Sequence, residues 1–325
     1  MRNGLNMKQL KYAIVGVGGL GGYYGIKLAA AGKDVHFLLN SDYEWVNQNG
    51  LRLDSIDGNL HLPTVQSYKQ AGEMPACDVI MVCLKTTSNH LLAQILPTLT
   101  AIGGSVVLVQ NGMGMEENLL ETFPDLSLAG ALAFICSSKV GPGHILHSDY
   151  GKLSLGWKQL PKPGLLEQVC DDLSTAGVSN EVVPDLMAAR WRKLVWNIPY
   201  NGMSVILRTT TAELMAHDFS RQMLRQLMLE VIHAANACLA ANGSGSSSSE
   251  SRIDPSFADA MLASTARMKP YAPSMKLDYD HGRPMEIEAI YGNPIRLAQQ
   301  AGYEMRQVAL MENQLRLIQS QYIKT

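Results

Sequence analysis

The strongest constraint on the fold is a glycine-rich turn that follows a short apolar run near the start of the chain. Residues 11–15 (KYAIV) predict a buried strand, and the turn GVGGLG occupies residues 16–21. An apolar helical stretch at residues 23–31 ends at Gly32, and residues 35–39 (VHFLL) predict a second strand. Two strands joined through a helix form a βαβ unit, which builds parallel sheet. The first half of the chain therefore belongs to the α/β class.

Three glycines of this turn have a physical role if the turn binds a dinucleotide. Gly16 permits a tight turn, Gly18 lets a pyrophosphate approach the backbone, and Gly21 lets the helix pack closely on the strand. The N-terminus of the helix offers N–H groups and the positive end of its dipole to the phosphates. We expect Gly16, Gly18, Gly19, Leu20 and Gly21 to bind a dinucleotide. A glycine-rich turn in an unrelated α/β protein is the alternative, against which the strand–turn–helix–strand context argues.

The residues after the second predicted strand bear on which dinucleotide is bound. An acidic residue there would bind a ribose hydroxyl of NAD, whereas an arginine would bind the 2′-phosphate of NADP. The chain has Asn40, Ser41 and Asp42 at this place. Asn40 is neutral and can donate to a phosphate, and Asp42 lies slightly late and would repel one. These residues leave the choice between NADP and NAD open.

The remaining pattern predicts two domains, as 325 residues allow. Apolar, β-rich runs at residues 78–84, 105–109 and 127–136 predict further strands, and residues 141–156 predict a hairpin. Helical patterns follow at residues 187–197, 211–241, 257–268, 285–301 and 305–322. We place an α/β domain at residues 7–185 and a helical domain at residues 186–325, with a flexible serine-rich surface loop at residues 242–251.

Composition excludes several classes of function. The net charge of −2 makes binding to nucleic acid or to an anionic membrane through bulk charge a poor hypothesis. No apolar run is long enough to span a membrane, so we expect a soluble protein. The five cysteines are odd in number and form no CxxC pair, which favours a reducing cytoplasm over a disulfide framework or a zinc site. We predict no metal site.

The segment WRKLVWNIPYN at residues 191–201 begins the helical half and carries polar residues at helical spacing. Lys193, Asn197 and Asn201 recur every four residues, so they share one face if the helix continues past Pro199. A lone lysine on such a helix is more often a solvated surface charge. Two asparagines at the same spacing, among tryptophan, leucine and valine, instead favour a polar stripe that lines a binding cavity.

The ordered set of these motifs resembles the ketopantoate reductase (2-dehydropantoate 2-reductase) family over nearly the whole chain. The resemblance rests on the turn at residues 16–21, Leu84-Lys85, QNGMG at residues 110–114, the segment at residues 191–201, and Ser274 with Glu286. It implies an N-terminal Rossmann-type domain followed by an all-helical domain, with the active site in the cleft between them. It also implies NADPH-dependent reduction of ketopantoate to pantoate, for pantothenate and coenzyme A synthesis.

The resemblance also implies residue roles. Lys193 matches the family's catalytic lysine, and Glu286 matches its paired glutamate. Lysine is suited to donate a proton to an oxygen on which charge develops, and a nearby carboxylate keeps the lysine protonated. Asn111 matches a residue near cofactor and substrate. The other matches are Lys85 on the cofactor side and Asn197, Asn201 and Ser274 as substrate-binding residues.

One departure from the family leaves alternatives open. Members commonly carry an arginine where Asn40 stands, and that arginine holds the 2′-phosphate of NADPH. NAD is therefore not excluded as the cofactor. A reductase of another 2-keto acid or of a 3-hydroxy acid is one alternative function, and a non-catalytic NADP(H) sensor is another. Helical second domains of this kind often pair, so a homodimer is a further expectation.

Overall fold

The fold is described by a computed structural model for residues 9–243, 252–268 and 272–323. Its contacts divide the chain into two compact units. The first unit comprises the residues up to Gln110 together with Glu116–Leu186. The second comprises Asn111–Met115 together with the chain from Met187 onwards. Most of the serine-rich segment predicted as a flexible loop, residues 244–251, lies outside the described residues.

A single mixed sheet organises the described part of the first unit. Parallel pairing of the first strand with the second confirms the predicted βαβ unit. The hairpin predicted at residues 141–156 is wrong in its bounds, because residues 144–159 form one strand that pairs antiparallel with residues 128–141. Along the sheet the strand order is β4-β3-β9-β8-β7-β6-β1-β2-β5, with β10 paired to β9. The strands are β1 (Lys11–Val15), β2 (Asp34–Leu38), β3 (Leu51–Ser55), β4 (Leu60–Leu62), β5 (Gln66–Tyr68), β6 (Val79–Val82), β7 (Ser105–Val109), β8 (Leu128–Gly141), β9 (His144–Gln159) and β10 (Asn180–Val182).

Five α-helices and two 3₁₀ turns accompany the described strands. The α-helices are α1 (Gly19–Ala30), α2 (Tyr43–Asn49), α3 (Leu92–Leu99), α4 (Met115–Thr122) and α5 (Leu165–Thr175), and the 3₁₀ turns are Ala71–Glu73 and Thr86–Leu91. Helix α1 packs on the sheet so closely that a Cβ on Gly25 would lie 2.5 Å from the Phe37 ring. It begins at Gly19, earlier than predicted. The prediction missed the first turn because that turn is rich in glycine and shows no apolar periodicity.

The second unit is helical, as predicted. Its helices are α6 (Leu186–Ile206), α7 (Thr211–Ala216), α8 (Asp218–Ala241), α9 (Ser256–Thr265), α10 (Ser274–Asp280), α11 (Asn293–Gln300) and α12 (Arg306–Ser320), and a π-helical turn covers Glu288–Gly292. The single helix predicted at residues 211–241 is wrong, because extended backbone at His217 divides it. Asp278 on α10 is 1% exposed and accepts a hydrogen bond from Arg283 Nε at 2.9 Å. No helix among the described residues is long and apolar enough to cross a membrane.

Candidate active site

The glycine turn of the first unit has the geometry of a dinucleotide-binding turn. Gly16 has a φ of +92°, and a Cβ there would lie 2.8 Å from Leu84 Cδ2. A Cβ on Gly21 would lie 2.1 Å from Gly16 O, so only glycine lets the helix approach the strand. Gly18 differs from both, because no atom lies within 4 Å of its Cβ position. Protein packing therefore does not require glycine at 18, and the open space there fits a pyrophosphate.

The first turn of α1 is open to an anion. Gly18 is the N-cap residue of this helix and makes no side-chain capping bond, so no cap side chain occupies the first turn, which Gly19 and Leu20 begin. Gly19 is fixed by β8, since its Cβ would lie 2.5 Å from Ser137 O and the Ser137 hydroxyl donates to Gly19 O at 3.0 Å. The residues of the turn therefore fit a dinucleotide.

The loop after β2 contains a carboxylate that is paired with other residues of the first unit. Asn40 and Ser41 are exposed, whereas Asp42 is buried. Its Oδ2 lies 2.7 Å from Lys139 Nζ and accepts a hydrogen bond from Gly143 N at 3.0 Å. Burial alone would raise the pKa of Asp42, but the contacts with Lys139 and Gly143 outweigh it and the pKa is lowered. The Lys139 ammonium therefore offsets the negative charge of Asp42, from which we expected repulsion of a phosphate.

Lys85 lies just beyond the carboxyl end of β6. It is exposed and caps the 3₁₀ turn that follows. The neighbouring backbone is held by Gln110, whose Nε2 donates to Leu84 O at 2.8 Å and which pairs with the amide of Asn89. The Lys85 side chain thus begins from a fixed point at the end of the sheet where the glycine turn also lies.

The NGMG loop belongs to the helical unit although it follows β7 in the chain. Met113 N donates to Ala289 O at 2.9 Å, and Asn293 Nδ2 donates to Met113 O at 2.6 Å. Gly112 has a φ of +97°, and a Cβ there would lie 2.4 Å from Ala289 O. These contacts place Asn111 at the end of a segment that is bound to the π-helical turn just after Glu286.

A buried arginine also binds this loop. Arg190 lies on α6 with 4% of its surface exposed, and its Nη1 donates to Gly112 O at 3.2 Å. It precedes Lys193 by three residues, so the two side chains share one face of the helix. The sequence analysis did not select Arg190, although this spacing was the available signal.

The polar stripe of α6 is present, since the helix continues through Pro199 to Ile206. Asn197 and Asn201 are both buried. Asn201 Oδ1 accepts a hydrogen bond from Met275 N at 3.1 Å, within the first turn of α10. Asn201 therefore fixes the helix start at which Ser274 lies, and Ser274 is half-buried there.

Lys193 and Glu286 act on each other electrostatically. Burial, the largest cause, and the positive charge of Arg190 lower the pKa of Lys193 to about 7, while the Glu286 carboxylate opposes them. Lys193 is half-buried and Glu286 is 8% exposed. An ammonium with a pKa near neutrality can both hold and release a proton at physiological pH, which is the property required of a general acid.

Metal binding finds no support in residues 9–243, 252–268 and 272–323, where no group of three or more His, Cys, Asp or Glu residues could hold an ion. His144 lies 2.8 Å from Asp54 Oδ2, and the buried His147 lies 2.8 Å from Ser55 Oγ. None of the five cysteines, all of which lie in the described ranges, forms a disulfide.

Known proteins resemble the chain along almost its whole length. Residues 12–159 match the family model described as ketopantoate reductase PanE/ApbA, and residues 185–319 match the model for the C-terminal part of that family. A 2-dehydropantoate 2-reductase from Nostoc sp. is 47% identical over 317 residues, covering 96% of each chain. The structure of a 2-dehydropantoate 2-reductase from Geobacter metallireducens GS-15 has a TM-score of 0.88 at 37% identity and covers 95% of this chain and 99% of its own. Another, from Methylococcus capsulatus, has a TM-score of 0.84 at 28% identity and covers 97% of this chain and 99% of its own.

Proposed function

Because the chain belongs to the ketopantoate reductase family and is an oxidoreductase, we propose that it reduces the 2-keto group of 2-dehydropantoate with NADPH. The product is pantoate, a precursor of pantothenate and coenzyme A. The observation that carries this proposal is the electrostatic setting of Lys193. Burial and Arg190 lower the pKa of this lysine to about 7, and the Glu286 carboxylate acts in the opposite direction. Lys193 and Glu286 belong to the unit that also contains Asn111.

Lys193 supplies the proton in this proposal. When hydride reaches the carbonyl carbon, negative charge develops on the keto oxygen, and an ammonium stabilises that charge before it donates its proton. Burial makes the proton easier to give because it disfavours the charged form of lysine. Glu286 prevents the ammonium from losing its proton too early, since a nearby carboxylate favours the charged form.

The substrate is held by amides and hydroxyls of the same unit. Asn197 and Asn111 each offer a donor and an acceptor, which suits the carboxylate and hydroxyl groups of ketopantoate. Ser274 offers a hydroxyl donor from the first turn of α10. Asn201 contributes through this helix, because its side-chain oxygen holds Met275 N and so positions Ser274.

The first unit holds the dinucleotide, which supplies the hydride when bound. Gly16, Gly18 and Gly21 shape the turn for the pyrophosphate, with Gly19 and Leu20 at the start of α1. Lys85 adds a cation at the end of the sheet, and Asn40 is exposed at the end of β2. The open space at Gly18 and the uncapped helix are the features that support this assignment.

NADPH oxidation with ketopantoate and a panel of other 2-keto acids, repeated with NADH, tests the proposal. We expect the highest kcat/KM with NADPH and ketopantoate. Faster turnover of another 2-keto acid would identify that acid as the substrate in place of ketopantoate. Oxidation of a 3-hydroxy acid would indicate a different dehydrogenase. Tight NADPH binding without turnover of any acid would indicate a sensor. The predicted homodimer is tested separately by the molar mass of the protein in light scattering.

A further inference from the structure

A strand of the hairpin β8–β9 passes beside the start of α1 and the loop after β2. At the first of these places, the Ser137 hydroxyl donates to Gly19 O at 3.0 Å. Two residues further along β8, Lys139 Nζ lies 2.7 Å from Asp42 Oδ2. Ser137 and Lys139 therefore connect the glycine turn with the segment at residues 40–42, where the adenosine ribose of a bound dinucleotide lies in folds of this kind.

Asp42 is fully engaged by its neighbours on this strand and loop. Its Oδ2 contacts Lys139 and accepts from Gly143 N at 3.0 Å, and its Oδ1 accepts from the Ser41 hydroxyl at 3.1 Å. A carboxylate used in this way is a poor acceptor for the ribose hydroxyls, which is the contact that selects NAD. Asp42, the acidic residue nearest the end of β2, therefore binds other parts of the protein, namely Lys139 and the backbone of Gly143.

Lys139 can bind a second group in addition to Asp42. An ammonium has three N–H donors, and Asp42 accepts from it on one side. The Lys139 side chain is 36% exposed, so a ligand can approach it from solvent. Because the ion pair with Asp42 already fixes the Lys139 side chain, that side chain loses less conformational entropy when it binds an anion.

We propose that Lys139 is the cation that binds the 2′-phosphate of NADPH in this chain, with Asp42 as the residue that positions it. This inference rests on the proposed function, since it assumes a dinucleotide at the glycine turn. Lys139 replaces, from another strand, the charge that Asn40 lacks at the end of β2. It makes specificity for NADPH a property of the hairpin β8–β9.

Dissociation constants of NADPH and NADH, measured by the fluorescence change on binding, test the inference without any turnover. We expect Lys139→Met to weaken NADPH binding about tenfold, the loss of one charge-assisted hydrogen bond. Binding of NADH should stay unchanged, because NADH has no 2′-phosphate. Lys139→Arg should restore NADPH binding, since arginine also binds phosphate.

Lys152→Met is the matched control. Lys152 lies on the same hairpin, is 42% exposed, and pairs with Glu181 at 2.9 Å. This variant removes an equal charge and an equal ion pair, and it should leave both dissociation constants unchanged. Unchanged NADPH binding in Lys139→Met, or an equal loss of NADPH and NADH binding, would overturn the inference while leaving the proposed function standing. A wild-type protein that binds neither dinucleotide would contradict both.

Discussion

Glu286 is the counterion of Lys193 in the helical unit. Burial and the charge of Arg190 lower the pKa of Lys193 to about 7, and the carboxylate of Glu286 limits this lowering. The protonated fraction of Lys193 at neutral pH is therefore set by burial and by the charges of two neighbouring side chains, and these effects have different signs. Each sign can be tested separately, because the proposed reaction requires the protonated form, so its rate should fall as the pH rises through the pKa.

Glu286→Gln should move the alkaline limb of the kcat/KM profile to lower pH. The variant removes the charge that raises the pKa of Lys193, so less of the lysine is protonated at a given pH. We expect kcat/KM at about pH 7 to fall about tenfold or more. Glu288→Gln is the control, since Glu288 lies close in sequence but pairs with Arg296 and Arg316. A limb that stays in place in Glu286→Gln would contradict the counterion role.

Arg190→Gln should move the same limb in the opposite direction. Without the neighbouring positive charge, the pKa of Lys193 rises. Glutamine keeps a donor for Gly112 O, so the NGMG loop retains a partner on α6. The measurement is kcat/KM for ketopantoate across the neutral and alkaline range. A shift to lower pH would show that Arg190 does not act on Lys193 through its charge.

Lys193→Met should make the fold more stable near neutral pH. The folded state lowers the pKa of this lysine, so between about pH 7 and its unfolded value the unfolded chain binds more protons. The contribution of Lys193 to stability is therefore unfavourable below about pH 7 and improves as the pH rises. Urea unfolding at several pH values should find the advantage of the variant largest near neutrality and smaller at about pH 9. An advantage that grows with pH would be inconsistent with a lowered pKa.

Gly18→Ala should separate folding from cofactor binding. No protein atom lies within 4 Å of the Cβ position of Gly18, and its φ of −93° is accessible to alanine. We expect the free energy of unfolding to change little, whereas NADPH binding weakens about tenfold or more because the methyl group occupies the place of the pyrophosphate. Gly72→Ala, also in open space, is the control. Unchanged NADPH affinity in Gly18→Ala would remove the main support for the binding turn.

Local sequence patterns predicted much of the fold. Strands β1 and β7 have the predicted bounds, because continuous apolar runs between turns leave little freedom. The strands β3 to β5 were not predicted, since polar residues interrupt their short apolar patterns. In addition, β3 and β5 pair with strands that are distant in the chain, whereas β4 pairs with β3. The helix break at His217 was also missed, because the helical pattern of residues 211–241 shows no interruption in the sequence.

The candidate site was predictable where a motif is local and hidden where a contact is long-range. The glycine turn and the stripe on α6 follow from spacing alone. The membership of the NGMG loop in the helical unit depends on the backbone contact between Met113 and Ala289, which no spacing reveals. The pairing of Asp42 with Lys139 joins the loop after β2 to strand β8, which is far away in the chain, and no local pattern indicates it.

The most direct test of the account is the rate of NADPH oxidation with ketopantoate in Lys193→Ala, measured beside NADPH binding to the same variant. If Lys193 donates the proton to the keto oxygen, turnover is lost while NADPH binds as tightly as in the wild type. A variant that reduces ketopantoate at the wild-type rate would contradict the account.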